Sequence, residues 1–314
     1  MQVIVTGGAG FIGSTLTDRL LADGHSVAVI DNLASGNLDN LTGARASYGD
    51  ALAFHEFDVR DHGLGDLMAS IQPEVVFHLA AQADVRVSVA RPLFDAEVNV
   101  LGGLNVIESA RLAGARKVVV ASSGGTIYGE PAPEALPVDE SHPQHPVSPY
   151  GVAKKVTDDY LFAFGVLHGL EHASMALANV YGPRQDPHGE AGVVAIFAGR
   201  LLAGDPCTVF GDGRQTRDFV FVNDVVDAFC RAAESGAGVY NIGTGVETSV
   251  NELYSAMAQA AGVDSPAVHA EARVGELSRS SLDPGRAVRE LGWSPATSLA
   301  DGTAAVLEWF GARR

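Results

Sequence analysis

The chain has 314 residues, of which 46% are apolar and 19% charged, so it can bury a core in one large domain or two moderate ones. Its net charge of −17, from 21 basic and 38 acidic side chains, argues against nucleic acid or an anionic membrane surface as partner, though a few converging arginines could still hold a small anion. Cys207 and Cys230 are too few and too isolated for a disulfide framework or a zinc site. With no leader before the first strand and no run of membrane-spanning length, a cytoplasmic protein is expected.

The first elements are the most informative. Residues 2–6 form a short apolar run rich in β-branched side chains, which predicts a buried strand. It breaks on Gly7, Gly8, Gly10 and Gly13. Phe11, Ile12, Leu16, Leu20 and Leu21 then recur at helical spacing until Gly24, and a second apolar strand over 27–31 ends on Asp31. Strand, glycine turn, helix, strand and acid is the layout of a dinucleotide site. The glycines let backbone N–H groups approach a pyrophosphate at the helix N-terminus, where the dipole favours negative charge. Asp31 can accept both hydroxyls of an adenosine ribose and would repel a 2′-phosphate. No Arg or Lys lies between it and Arg45, so NAD is expected rather than NADP.

Further along, 75–79 reads as a strand, 92–112 as a long helix, and 117–121 as another strand running into Ser122-Ser123-Gly124-Gly125. Residues 130–148 carry Pro131, Pro133, Pro137, Pro143 and Pro146 and predict a rigid polar loop before a helix over 150–168. This alternation predicts an α/β fold, a Rossmann-type doubly wound parallel sheet with ligands at the strand C-termini. After Asn179 the pattern loosens: glycines and prolines crowd 182–213, 219–222 reads as a short strand, and 250–261 and 300–310 as helices. That composition suits a smaller C-terminal α/β lobe closing over a substrate. The expected division is 1–178 with 219–248 for the cofactor domain, and 179–218 with 249–314 for the lobe.

Tyr150 and Lys154 stand at i and i+4, on one face of a helix. A free phenol has a pKa near ~10, too high for a base at neutral pH, and a cation within a few ångströms lowers it. Alone the pair could be an ordinary surface couple; behind a dinucleotide fingerprint it reads as a base and its activator, with Lys154 also able to bond a ribose. Ser122, Ser123 and Thr126 follow the strand over 117–121, so a hydroxyl there could bond the oxygen being oxidised. Turn chemistry would place Ser and Gly there as well.

Taken together, Gly7-x-x-Gly10-x-x-Gly13, Asp31-Asn32-Leu33, Asp58-Val59, His78-Leu79-Ala80-Ala81-Gln82, Asn99, Ser122-Ser123, Tyr128-Gly129 and Tyr150-x-x-x-Lys154 resemble the extended short-chain dehydrogenase/reductase family. Within it the likeness runs to the UDP-galactose (UDP-glucose) 4-epimerases. It continues through Asn179-Val180-Tyr181-Gly182-Pro183-Arg184, Gly211-Asp212-Gly213, Gln215–Phe219, Arg273-x-Gly275-Glu276 and Leu291-Gly292-Trp293, so it covers nearly the whole chain in order. The resemblance implies that Gly7, Gly10, Phe11, Ile12, Gly13, Asp31, Asn32, Ser35, Gly36, Asp58, Val59, Leu79, Ala80, Ala81, Asn99 and Ser122 line an NAD site together with Tyr150 and Lys154. It implies that Asn179, Arg217 and Arg273 grip the UDP of a UDP-sugar, with Glu276 near a hydroxyl. Two arginines aimed at a diphosphate also reconcile an anionic substrate with an acidic chain. The implied reaction is redox-neutral: Tyr150 takes the 4-hydroxyl proton, C4 is oxidised at the expense of NAD, and the 4-keto sugar turns over before reduction on its other face. A homodimer through the 92–112 and 150–168 helices is implied too.

The chain departs from that pattern in one place. Counted from Tyr128-Gly129, the usual Ser/Thr that assists the tyrosine falls on Gly124. Ser123 is the expected substitute, with Thr126 second. Gly124-Gly125 also lacks the Asp-Glu pair of a 4,6-dehydratase. Counted from 273–276, the position that gates the sugar 2-substituent falls near Ser280, whose small side chain would leave room for an N-acetyl group. Two other readings stand beside the epimerase. One is a sister sugar-nucleotide enzyme (a UDP-glucuronate epimerase or decarboxylase, or a dTDP-sugar enzyme), and the other is a non-catalytic NAD-binding scaffold.

Overall fold

The apolar runs assemble into a seven-stranded parallel sheet in a computed structural model that describes residues 1–187, 192–272 and 277–313. Its strands are β1 (Gln2–Thr6), β2 (Ser26–Asp31), β3 (Leu52–Glu56), β4 (Val75–His78), β5 (Lys117–Ser123), β6 (Glu171–Leu177) and Gly238–Ile242. Across the sheet they run Gly238–Ile242, β6, β5, β4, β1, β2, β3. The chain builds outward from β1 in one direction and then crosses to β4 and builds in the other. The carboxyl ends of β1 and β4 therefore flank a topological switch point, where sheets of this kind bind ligands.

Side-chain alternation explains why the strands are apolar throughout. Val3, Val5, Val27, Val29 and Phe77 face one side, under α1 (Phe11–Ala22) and the helix Val222–Ser235. Ile4, Ala28, Ile30, Val76, Val118 and Val120 face the other, against Met68, Val106, Ile107 and Leu161. A sheet covered on both faces has no polar side to alternate with.

A second core gathers Phe197, Leu201, Leu253, Met257 and Val306 from the helices Val193–Ala203, Val250–Ala260 and Leu299–Gly311, with Tyr181 from the strand Asn179–Tyr181. Short strand pairs frame it: Asn179–Tyr181 with Phe219–Phe221, Thr216–Arg217 with Thr248–Ser249, and Thr208–Phe210 with Val268–Ala270. Ala287, Leu291 and Trp293 lie in the stretch assigned above to the lobe, yet they pack into the sheet's own core, with Trp293 Nε1 donating to the Asp224 carbonyl at 2.8 Å.

Several elements differ from the sequence reading. The helix expected over 92–112 is interrupted: Glu97–Gly102 forms a π turn between Pro92–Ala96 and Gly103–Leu112. The strand expected over 219–222 ends at Phe221, because Val222 opens the helix Val222–Ser235. Strand β6 leaves little signature in the sequence, since its HASMA stretch has no β-branched residue. The helix Val193–Ala203 was hidden by a sequence that is apolar on nearly every side, as befits a helix packed between Val250–Ala260 and Leu299–Gly311.

Candidate active site

Close packing of backbone on backbone shapes the first half of the site. Gly7 has φ +71°, and a Cβ on it would lie 2.6 Å from the Ala80 nitrogen. A Cβ on Gly13 would overlap the Gly7 carbonyl. These absences bring the β1 turn against the Leu79-Ala80-Ala81 turn and let α1 begin at Phe11 with no side chain capping its first N–H groups. The first turn of a helix leaves such donors without intrahelical partners, and its dipole suits a pyrophosphate.

Asp31 is buried at the end of β2 and accepts from the Ala9 amide at 2.9 Å and the Leu33 amide at 2.8 Å. Gly36 folds back so closely that a Cβ there would lie 2.7 Å from the Asp31 carboxylate, while Ser35 beside it is exposed. Asn32 donates to Asp58 at 2.8 Å, and Arg60 grips the same carboxylate through two nitrogens at 2.9 and 2.8 Å. Those Arg60 hydrogen bonds hold the Asp58 carboxyl well below the usual range. Val59, next to it, is buried against Gly102. Glycine cradle, ribose acid and the 32–60 rim have the shapes and donors that NAD requires.

Asn99 sits in the π turn and spends its side chain within the protein. Its oxygen accepts from the Gln82 amide at 2.9 Å, and its nitrogen donates to the Gln82 carbonyl at 2.8 Å and to Asp95 at 2.9 Å. It thereby fixes the end of the 79–82 turn. Thr6 holds the start: its hydroxyl oxygen accepts from the Ala80 amide at 3.3 Å and pairs with the ring of His78 at 2.7 Å. Burial, helped by the nearby Lys154 charge, pushes His78 down to about 3. Ser122, expected at the cofactor site, donates its hydroxyl to the buried Asp158 at 3.2 Å. Thr6 and Asp158 carry no signal in the sequence for these roles, because only the fold brings them to His78 and Ser122.

The helix Pro149–His168 starts with Pro149 at its first position, and Ser148 caps it by accepting from the Gly151 amide at 3.1 Å. A Cβ on Gly151 would lie 2.9 Å from the Thr126 carbonyl, so the first turn carrying Tyr150 leans on the Gly124–Ile127 turn. Lys154 Nζ lies 5.6 Å from the Tyr150 ring centroid and donates to the Ala121 carbonyl at 2.8 Å. The ammonium is thus held where it favours the phenolate. Tyr150, Ser123, Thr126, Asn179, Arg217 and Ser280 all line one cleft of about 230 Å³. The Thr126 hydroxyl also donates to the Ser123 carbonyl at 3.3 Å.

Arg217 Nη1 donates to the Thr216 carbonyl at 2.7 Å and the Leu277 carbonyl at 2.8 Å. Beside it, buried Asp218 accepts from the amides of Thr244, Gly245 and Leu282, tying the far wall of the cleft to the strand Phe219–Phe221. Asn179 joins the same knot by donating its amide to the Asp218 carbonyl at 2.8 Å. Arg273 and Glu276 lie outside the described residues.

The sequence profile of the NAD dependent epimerase/dehydratase family matches residues 3–243. The UDP-glucose 4-epimerase of Mycolicibacterium smegmatis is 53% identical over 313 residues, covering 99% of this chain and 98% of that one. The crystal structure of a UDP-glucose 4-epimerase from Thermotoga maritima with UDP-glucose superposes with a TM-score of 0.93 at 43% identity, over 100% of this chain and 99% of that one. A UDP-glucose 4-epimerase from Thermus thermophilus in complex with NAD gives 0.92 at 45% identity, over 99% of both chains.

Proposed function

The chain belongs to the NAD-dependent epimerase/dehydratase family, and from that premise we propose that it is a UDP-glucose 4-epimerase interconverting UDP-glucose and UDP-galactose. The observation that carries this reading is the single cleft holding Tyr150, Ser123, Thr126, Asn179 and Arg217 beside the glycine cradle and Asp31. A scaffold would not require a tyrosine with a lysine held against it. A dehydratase would need its acid pair at Gly124-Gly125, and Leu282 fills the space at Gly124.

Bound NAD supplies a reversible hydride acceptor at the sugar C4. Lys154 favours the phenolate form of Tyr150, which takes the proton of the 4-hydroxyl and later returns it. Ser123, with Thr126 as second, bonds the reacting oxygen. Asn179, Arg217 and Arg273 anchor the UDP while the oxidised ring turns, with Glu276 near a hydroxyl. Of the cradle, Gly7, Gly10 and Gly13 admit the pyrophosphate at α1, Asp31 takes the ribose, and Asp58 with Val59 meets the adenine. Residues 1–178 with 219–248 serve the cofactor, and 179–218 with 249–314 serve the sugar nucleotide.

Ser280 lines the cleft and supports acceptance of UDP-GlcNAc and UDP-GalNAc as well. Leu93, Leu101, Phe162 and Val166 are large apolar side chains exposed on the 92–112 and 149–168 helices, which supports a homodimer through that face. Among the described residues no helix is long and apolar enough to cross a membrane, and the proposed setting is the cytoplasm. Incubating the purified protein with UDP-galactose, with and without NAD, and separating the products tests the reading. Formation of UDP-glucose supports it, and its absence with NAD supplied refutes it.

A further inference from the structure

Three consecutive residues of β5 engage the helix Pro149–His168 or the cleft, each in a different way. The Ala121 carbonyl accepts from Lys154, the Ser122 hydroxyl donates to Asp158, and Ser123 lines the cleft with Tyr150. Tyr150, Lys154 and Asp158 stand four residues apart on one helical face. From the neighbouring strand β6, Ser174 donates to the other oxygen of Asp158. Asp158 is only 9% exposed. Burying a carboxylate is costly, and two neutral hydroxyls offset that only in part. For packing alone, an uncharged side chain would serve better there.

We infer that Asp158 is a positioning residue for the proposed reaction: gripped by Ser122 and Ser174, its carboxylate fixes the register of the helix Pro149–His168 on β5 and β6, keeping Lys154 on the Ala121 carbonyl and Tyr150 facing Ser123. The inference rests on the epimerase reading for its chemistry and on the packing for its geometry. Burial raises the Asp158 carboxyl to about 6, against the two serines and Lys154, so its charge is present at neutral pH. The groups facing this pair are few. Lys154 and Asp159 lie on its own helix, with Tyr128 beyond the Gly124–Ile127 turn and Ser122 and Ser174 on β5 and β6. His78 on β4 and Asp95 on the helix Pro92–Ala96 face Lys154. Asp158 is thus the negative group nearest in sequence to Lys154 on the face that carries Tyr150.

The test compares the NAD-loaded protein with its Asp158→Asn variant across pH. Asn keeps the size and one acceptor but removes the charge. The expected result is a kcat about tenfold lower, a KM within about twofold and retained NAD. The acid limb of the rate should move to higher pH, because Lys154 no longer sits where it favours the Tyr150 phenolate; a shift to lower pH would be the removed charge acting alone and overturns the inference. A variant whose kcat and pH profile superimpose on the wild type overturns the inference. So does a loss of kcat wholly explained by lost NAD or lost folded protein with the acid limb unmoved. If the wild type turns over no UDP-sugar, the epimerase reading fails by itself. Ultraviolet titration of the Tyr150 phenolate, taken against Tyr150→Phe, then decides this inference: a higher midpoint in Asp158→Asn sustains it, and an unchanged or lower midpoint overturns it.

Discussion

The side chain of Leu282 stands where any Cβ on Gly124 would have to go. Leu282 is itself fixed, because its amide donates to Asp218 at 3.2 Å and it pairs with Val138 across a β-bridge. A side chain at position 124 would therefore require the buried Leu282 side chain to shift, and the expected hydroxyl is left to the neighbours. Gly124→Ser should lower stability by about 1–3 kcal/mol, the usual cost of overpacking a core. Adding Leu282→Ala should recover part of that loss, so chemical denaturation of the two single variants and the double should give non-additive free energies.

Among the neighbours, Ser123 should matter more than Thr126, whose hydroxyl is partly engaged by the Ser123 carbonyl. Ser123→Ala should lower kcat by roughly 10²-fold and Thr126→Ala by less, while Tyr150→Phe should remove essentially all turnover. Steady-state rates on UDP-galactose check the order. Equal effects of the two hydroxyl variants would contradict it.

The fold and its first motifs were readable because their physics is local. Glycines that must touch other backbone, an acid after an apolar strand, and Tyr150 and Lys154 one turn apart each leave a short-range signature. The hydrogen bonds behind the cleft's far wall were not readable, because Asp218, Leu282 and Thr244 come together only through the fold. The partner of the Ser122 hydroxyl was not readable for the same reason. Its acceptor, Asp158, is 36 residues away and gives no sign in the sequence of which strand it will meet.

Asp31 has a structural task besides its expected one. Both its oxygens accept backbone amides, so Asp31→Asn would set its NH₂ group against an N–H donor. Hydrogen bonds to a charged group contribute about 1.5–3 kcal/mol, so NAD retention and thermal stability should fall together. Bound nucleotide released on denaturation, and melting followed by circular dichroism, measure the two. Loss of NAD with an unchanged melting temperature would contradict this account.

Stability below pH 7 should depend on two buried groups of opposite sign. His78 is pushed down to about 3 in the folded protein against an ordinary 6.5, so its contribution is full above 6.5 and is lost as pH falls. Asp158 is raised to about 6 from 3.8, so the folded protein takes up a proton there first and gains stability as pH falls through 6. The two offset each other between about 6 and 4. In Asp158→Asn the offset is gone, and unfolding free energy should drop more steeply than in the wild type between pH 7 and 5. Urea titrations at the two pH values measure this, and equal drops would contradict it.

The central claim is that C4 is oxidised and reduced within one bound complex. UDP-galactose carrying deuterium at C4 tests this most directly, with the UDP-glucose formed in ordinary water analysed by mass. The account predicts that the product keeps its deuterium at C4. Exchange of the label with solvent, or release of a keto sugar in place of UDP-glucose, would contradict it.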